Sequence, residues 1–175
     1  MVLCHRRSIE TLDAMAAPRQ RLQTDVFADY YQFYVWDANQ NPRAPVNWSD
    51  DDVENRLKVA EHVVVICPVR NMIVPVTFEV HDAAPGYSLD DWDHVAECSI
   101  SCPSGKFSIQ ECSGDSVGSI IVAAGTYRIR VYYGNLASLS ADGLDGDDRY
   151  LVTIWTAPVG PMQILKRWPV ANASN

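Results

Sequence analysis

Between Phe27 and Trp168 the chain is a succession of short runs rich in Val, Ile, Thr and aromatic residues, each stopped by Gly, Pro, Asn or Asp. Punctuation of this kind leaves no room for long helices and constrains the fold more than any other feature. Tyr31, Phe33 and Val35 alternate with Gln32, Tyr34 and Trp36, the period of a half-buried strand, until Asn39-Gln-Asn-Pro42 breaks it. Val63–Cys67, Met72–Val80, Val95–Cys102, Lys106–Glu111, Ser119–Ala123, Thr126–Tyr133, Arg149–Thr156 and Met162–Trp168 continue the series to roughly eight or nine strands. Cys102-Pro-Ser-Gly-Lys106 reads as a hairpin turn, because Pro presets φ early in the turn and Gly tolerates a left-handed conformation late in it. An α/β fold would need helices between such runs. We therefore expect an all-β fold, an antiparallel β-sandwich with one short α-helix.

That helix has its own signal. Ser49 precedes three aspartates, and Asp52 stands three residues after it, the spacing of a capping box at a helix start where negative charge is also favoured. Val53, Leu57 and Ala60 then fall on one face, so the helix is expected to run to Glu61 and lead into the strand at Val63. Trp48, just ahead of the cap, is placed to hold it against the core.

Charge divides the chain. Acidic residues number 22 against 14 basic, a formal charge of −8. Arg6, Arg7, Arg19 and Arg21 against Glu10 and Asp13 give the start of the chain +2, so the remainder carries −10. Residues 1–24 are therefore expected to be a tail, 25–168 the domain and 169–175 a second tail. Met15-Ala-Ala-Pro18 offers an alternative start that would make residues 1–14 an upstream extension, and a weak helix from Ser8 to Ala17 is the other reading. The acidic domain argues against direct binding to a phosphate backbone and suits a basic protein partner.

Cys4, Cys67, Cys98, Cys102 and Cys112 are odd in number and sparse, which points to reduced thiols. The longest apolar run, Val63–Cys67, is far short of the roughly 18 residues of a membrane span, and no apolar h-region follows the N-terminal arginines. A cytoplasmic protein without membrane association is the expectation.

His94, Cys98, Cys102 and Cys112 are ligand types in the right number for zinc. If Val95–Cys102 is a strand, Cys98 and Cys102 sit about 13 Å apart on one face, whereas a zinc–sulfur bond is about 2.3 Å long. Ala96, Cys98, Ile100 and Cys102 alternate with Glu97, Ser99 and Ser101, so the cysteines read as small core residues, and no metal or other cofactor is expected. Asp90-Asp91-Trp92-Asp93-His94 places carboxylates beside an imidazole, a possible general acid/base pair in Asp93 and His94. Neither this segment nor Asp142-Gly-Leu-Asp145-Gly-Asp147-Asp148 has the spacing of a calcium loop, and both read more simply as solvated acidic loops. Phosphate-loop, dinucleotide and H-E-x-x-H patterns are absent. Tyr34, Trp36, Arg128, Arg130, Tyr132 and Trp155 are expected to share one outer sheet face; Trp36 and Trp155 there could stack on a carbohydrate, while the plainer reading has the arginines lying over the rings as cation–π lids.

Asp29-Tyr-Tyr-Gln-Phe-Tyr-Val-Trp36, then Pro45-Val-Asn-Trp48-Ser-Asp50 and the helix to Glu61, resemble the competence protein J family, small bacterial inhibitors of the nuclease that serves DNA uptake. The Gly125-Thr-Tyr-Arg-Ile129 and Arg149–Trp155 strands are similar as well, and the likeness covers about Asp29 to Pro158. The positive N-terminal segment, the acidic loops around Asp90 and Asp145 and the tail after Trp168 have no counterpart in the family pattern. The resemblance implies a non-enzymatic protein-binding role, inhibition of a nuclease, and no catalytic residue; the acidic charge suits a basic one. Combined with the charge, it makes Asp90, Asp91, Asp93, Asp142, Asp145, Asp147 and Asp148 the candidate partner surface, mimicking nucleic acid in a basic groove. The rival readings are a small hydrolase or metal-dependent enzyme built on Asp93 and His94, and a carbohydrate-binding sandwich.

Overall fold

The computed structural model describes residues 17–169. The helix considered from Ser8 and the start considered at Met15 lie outside the described residues, as does the chain beyond residue 169. In chain order the strands are β1 (Gln20–Phe27), β2 (Phe33–Asp37), β3 (Leu57–Ala60), β4 (Val63–Ile66), β5 (Ile73–His81), β6 (His94–Cys102), β7 (Lys106–Glu111), β8 (Ser116–Ile121), β9 (Gly125–Gly134), β10 (Arg149–Thr156) and β11 (Gln163–Lys166). The helix α1 (Asp50–Asn55) lies between β2 and β3.

Two sheets face each other, one of six strands in the order β1-β5-β10-β9-β6-β11 and one of five in the order β3-β4-β2-β7-β8. This is the all-β, two-sheet architecture expected. One pair departs from an antiparallel sandwich: β5 and β10 run parallel, from Val76 opposite Tyr150 to His81 opposite Trp155. Parallel neighbours cannot be joined by a tight turn. Here the chain passes through β6, β7, β8 and β9 before it returns.

Alternation puts the expected residues inside. Phe33 and Val35 of β2, Ala96, Cys98, Ile100 and Cys102 of β6, and Ile129, Val131 and Tyr133 of β9 all belong to one buried cluster between the sheets. Phe33 meets Phe78 of β5 edge-on at 6.4 Å. Each such side chain contributes about 1.5–3 kcal/mol by leaving water. The β6–β7 turn forms as expected, with Gly105 at φ 70° and its N–H donating to the Cys102 carbonyl at 3.2 Å. Asp37, fully buried at the end of β2, accepts the Ser104 N–H at 2.9 Å and so ties that turn to the neighbouring strand.

Three expectations change. The helix stops at Asn55, Arg56 turns left-handed at φ 52°, and Leu57–Ala60 is strand β3 rather than helix. Pairing with β4, from Leu57 opposite Ile66 to Ala60 opposite Val63, outweighs the helical spacing of Leu57 and Ala60. The sheet also begins at Gln20, inside the stretch that charge had set apart: Leu22, Thr24 and Val26 alternate toward the core while Arg21, Gln23 and Asp25 face water. Finally, Tyr34 and Trp36 stack on each other on the outer face of the five-stranded sheet, at 5.8 Å and 7°, whereas Arg128, Arg130, Tyr132 and Trp155 lie on the other sheet. Period two assigns a residue to a side of its own strand, not to a sheet.

Candidate functional site

The acidic loops converge on one end of the six-stranded sheet. The Asp93 carboxylate accepts the Leu136 N–H at 2.8 Å, Arg149 donates to the Asp91 carbonyl at 3.0 Å, and Asn135 donates to the Asp147 carbonyl at 3.1 Å. Of the expected partner-binding carboxylates, Asp90, Asp91, Asp142, Asp145 and Asp147 are exposed. Ser140 and the Leu144 N–H donate to Asp142 at 2.5 and 3.1 Å, and these bonds, the Ser140 hydroxyl first, hold its carboxyl below the usual carboxylate range.

Two of the candidates have structural duties. Asp93 is half-buried and committed to Leu136. Asp148 is 1% exposed, accepts the Tyr150 hydroxyl at 2.6 Å and meets Arg70 Nε at 2.6 Å in a buried ion pair. Burial first, then the bond to Asp148, pushes the Tyr150 phenol far up, so it stays protonated.

The Asp93–His94 acid/base pair is not assembled. Asp93 sits at the bend before β6 with its carboxylate bonded to the Leu136 N–H, and His94, the first residue of β6, is fully buried. Its Nε2 lies 3.0 Å from the Asn55 carbonyl and its Nδ1 accepts the Trp168 N–H at 3.2 Å, so neither nitrogen is free for a substrate. Trp155 is 5% exposed under Arg130, whose guanidinium carbon stands 5.1 Å from the ring centroid. With Trp36 on the other sheet, the two tryptophans form no joint platform for a sugar; the cation–π lid is what the structure contains at Arg130.

A larger feature went unread in the sequence. At the end of the sandwich near α1 lies a concavity of about 720 Å³, walled by Tyr30, Tyr31, Trp48, Val53, Leu136 and Trp168 among others. Its residues come from the turn before β2, the loop before α1, α1 with its cap Arg56, the β4–β5 loop, the β9–β10 loop and the segment after β11. Tyr30 and Tyr31 both adopt left-handed backbone, at φ 55° and 60°, and stand 71% and 51% exposed. That conformation costs a non-glycine residue about 1–2 kcal/mol, and such strain collects at functional surfaces. The sequence had placed Tyr31 on a strand; the Tyr-Tyr pair ahead of a turn was the signal available.

The groove's floor is chemically quiet. Burial pushes the Cys67 thiol up to about 12, which leaves it unreactive at neutral pH. The buried Tyr133 phenol, also pushed up by burial, donates to the Arg56 carbonyl at 2.5 Å, and the Tyr150 hydroxyl accepts the Val69 N–H at 3.0 Å. Among the described residues no group of three His, Cys, Asp or Glu side chains is arranged to hold a metal ion.

No family model matches the sequence, and no curated protein does. Solved structures do match. ComJ from Bacillus subtilis, described as the inhibitor of the DNA degrading activity of NucA, superposes with a TM-score of 0.62 at 15% identity, over 82% of this chain and 100% of that one. Crocagin biosynthetic gene J superposes with a TM-score of 0.51 at 18% identity, over 77% of this chain and 94% of that one. At these identities the likeness is one of fold.

Proposed function

We propose that this protein is a non-enzymatic inhibitor that binds a basic nuclease through its acidic end, in the cytoplasm and with its thiols reduced. The observation that carries the reading is the convergence of both acidic loops at one end of a fold shared along the whole of ComJ, with Asp90, Asp91, Asp142, Asp145 and Asp147 facing water. Carboxylates on hydrogen-bonded loops present fixed negative charge where a nuclease expects phosphate. Charges of this kind raise the association rate more than they fix affinity. The engaged nitrogens of His94 and the buried state of Asp148 support binding over catalysis.

The test mixes the purified protein with a nuclease encoded in the same genome and follows DNA cleavage across a salt series. Inhibition should weaken with salt, since steering is screened beyond about 8 Å at physiological ionic strength. Asp142→Asn, Asp145→Asn and Asp147→Asn combined should slow association while leaving dissociation nearly unchanged. Inhibition indifferent to salt and to these substitutions would remove the carboxylates from the mechanism, and absence of inhibition would remove the nuclease.

A further inference from the structure

The concavity beside α1 is not needed for carboxylate mimicry, yet it is lined mostly by apolar and aromatic side chains. Val53 is 61% exposed on the outer side of α1, and Tyr30 and Tyr31 stand beside it. Three residues before Tyr30 in the chain, Phe27 pairs with Ile73 at the end of the β1–β5 ladder, the two being 37% and 58% exposed, and Met72 beside Ile73 is 37% exposed. An apolar hollow lined by Tyr and Trp has the composition of an interface core.

Charge at the rim selects the partner. Asp50 and Asp51 are exposed at the start of α1, and Asp50 lies one turn before Val53. Neither forms an ion pair among the described residues, whereas the cations near them are engaged: Lys58 with Asp52 at 2.5 Å, Arg167 with Glu54 at 3.5 Å. Asp29 adjoins Tyr30, and the loop that supplies Leu136 goes on to the exposed Asp142 and Asp145. Arg56 is the single Lys or Arg on the groove wall, and the unpaired carboxylates of Asp50 and Asp51 stand within one turn of α1 from Val53.

We infer that this groove docks a protein segment that inserts an apolar anchor between Tyr31, Trp48 and Val53 and sets flanking lysines or arginines against Asp50 and Asp51. The inference rests on the protein-binding reading above and gives it a second, apolar contact. Steering by the loops brings the basic partner in; the groove supplies desolvated contact that slows its departure.

The test needs no nuclease. The full chain, with its tryptophan indole N–H signals assigned, is titrated with a peptide whose Leu-Phe-Leu centre is flanked by lysines, with the same centre flanked by glutamates, and with a serine centre flanked by lysines. The first should shift the Trp48 and Trp168 signals saturably and bind at least about tenfold more tightly than the other two. Tyr31→Ser and, separately, Val53→Lys should each weaken it by at least about tenfold; both positions are exposed, and unchanged unfolding midpoints would show that the fold is intact. No shift at either tryptophan, equal binding of the glutamate-flanked peptide, or indifference to both variants overturns the groove. A nuclease assay without inhibition, together with the expected peptide results, would overturn the nuclease reading and leave the groove standing.

Discussion

The backbone N–H of Trp168 donates to Nδ1 of His94 at 3.2 Å. Because Nδ1 accepts, the ring proton resides on Nε2, which donates to the Asn55 carbonyl at 3.0 Å. One neutral imidazole therefore joins the last residue of α1 to the chain beyond β11. Val53 and Trp168, on the two segments it connects, both line the groove.

That arrangement sets a pH dependence. Burial lowers the His94 pKa from 6.5 to about 4, with Arg56 and Arg167 adding to the shift and the Asn55 carbonyl opposing it. The unfolded ring takes up its proton near pH 6.5 and the folded ring only near 4, so between these values the unfolded state binds more protons. Stability from the neutral ring is complete above about pH 6.5 and declines as pH falls toward 4, by about 3 kcal/mol in all. Denaturant titrations across that window should show the decline in the native protein and a flatter profile in His94→Gln.

Asp148 and Asp145 separate burial from charge. Asp148→Asn strips Arg70, 7% exposed, of its counter-ion and should cost about 3–5 kcal/mol in equilibrium unfolding. Asp145→Asn, on an exposed loop residue, should change stability by less than about 0.5 kcal/mol. Equal effects would refute the division of the acidic residues into structural and surface groups.

Gly105 is required by its turn. A Cβ there would stand 2.8 Å from the Val122 carbonyl oxygen, on a residue at φ 70°. Gly105→Ala should destabilise the domain by about 1–2 kcal/mol from the left-handed backbone alone, with the clash against a main-chain atom added to it. Thermal unfolding measures this directly.

The cap of α1 is reciprocal: the Asp52 N–H donates to Ser49 Oγ at 3.2 Å and the Ser49 N–H to Asp52 Oδ2 at 2.9 Å. Ser49→Ala should lower stability by about 0.5–2 kcal/mol. Because Val53 rides on this helix, peptide binding at the groove should weaken in the same variant.

Local chemistry is what the amino-acid sequence determined unaided. Alternation in β2, β6 and β9 put Phe33, Cys98 and Ile129 inside, since side chains on a strand change sides at every residue. The Ser49–Asp52 box and the Gly105 turn were equally legible, because donor, acceptor and φ lie within a few residues of each other. The likeness to competence protein J rested on the same short stretches and agrees with the shared fold. Long-range pairing decided the rest. Leu57–Ala60 became a strand because β4 was beside it, Trp36 and Trp155 parted onto different sheets, and Asp148 met Arg70 across 78 positions of chain while its neighbour Asp147 stayed in water. The groove belongs wholly to this second kind. Its walls come from six segments brought together by the closing of two sheets over one core, and no spacing within any one of them records that they meet.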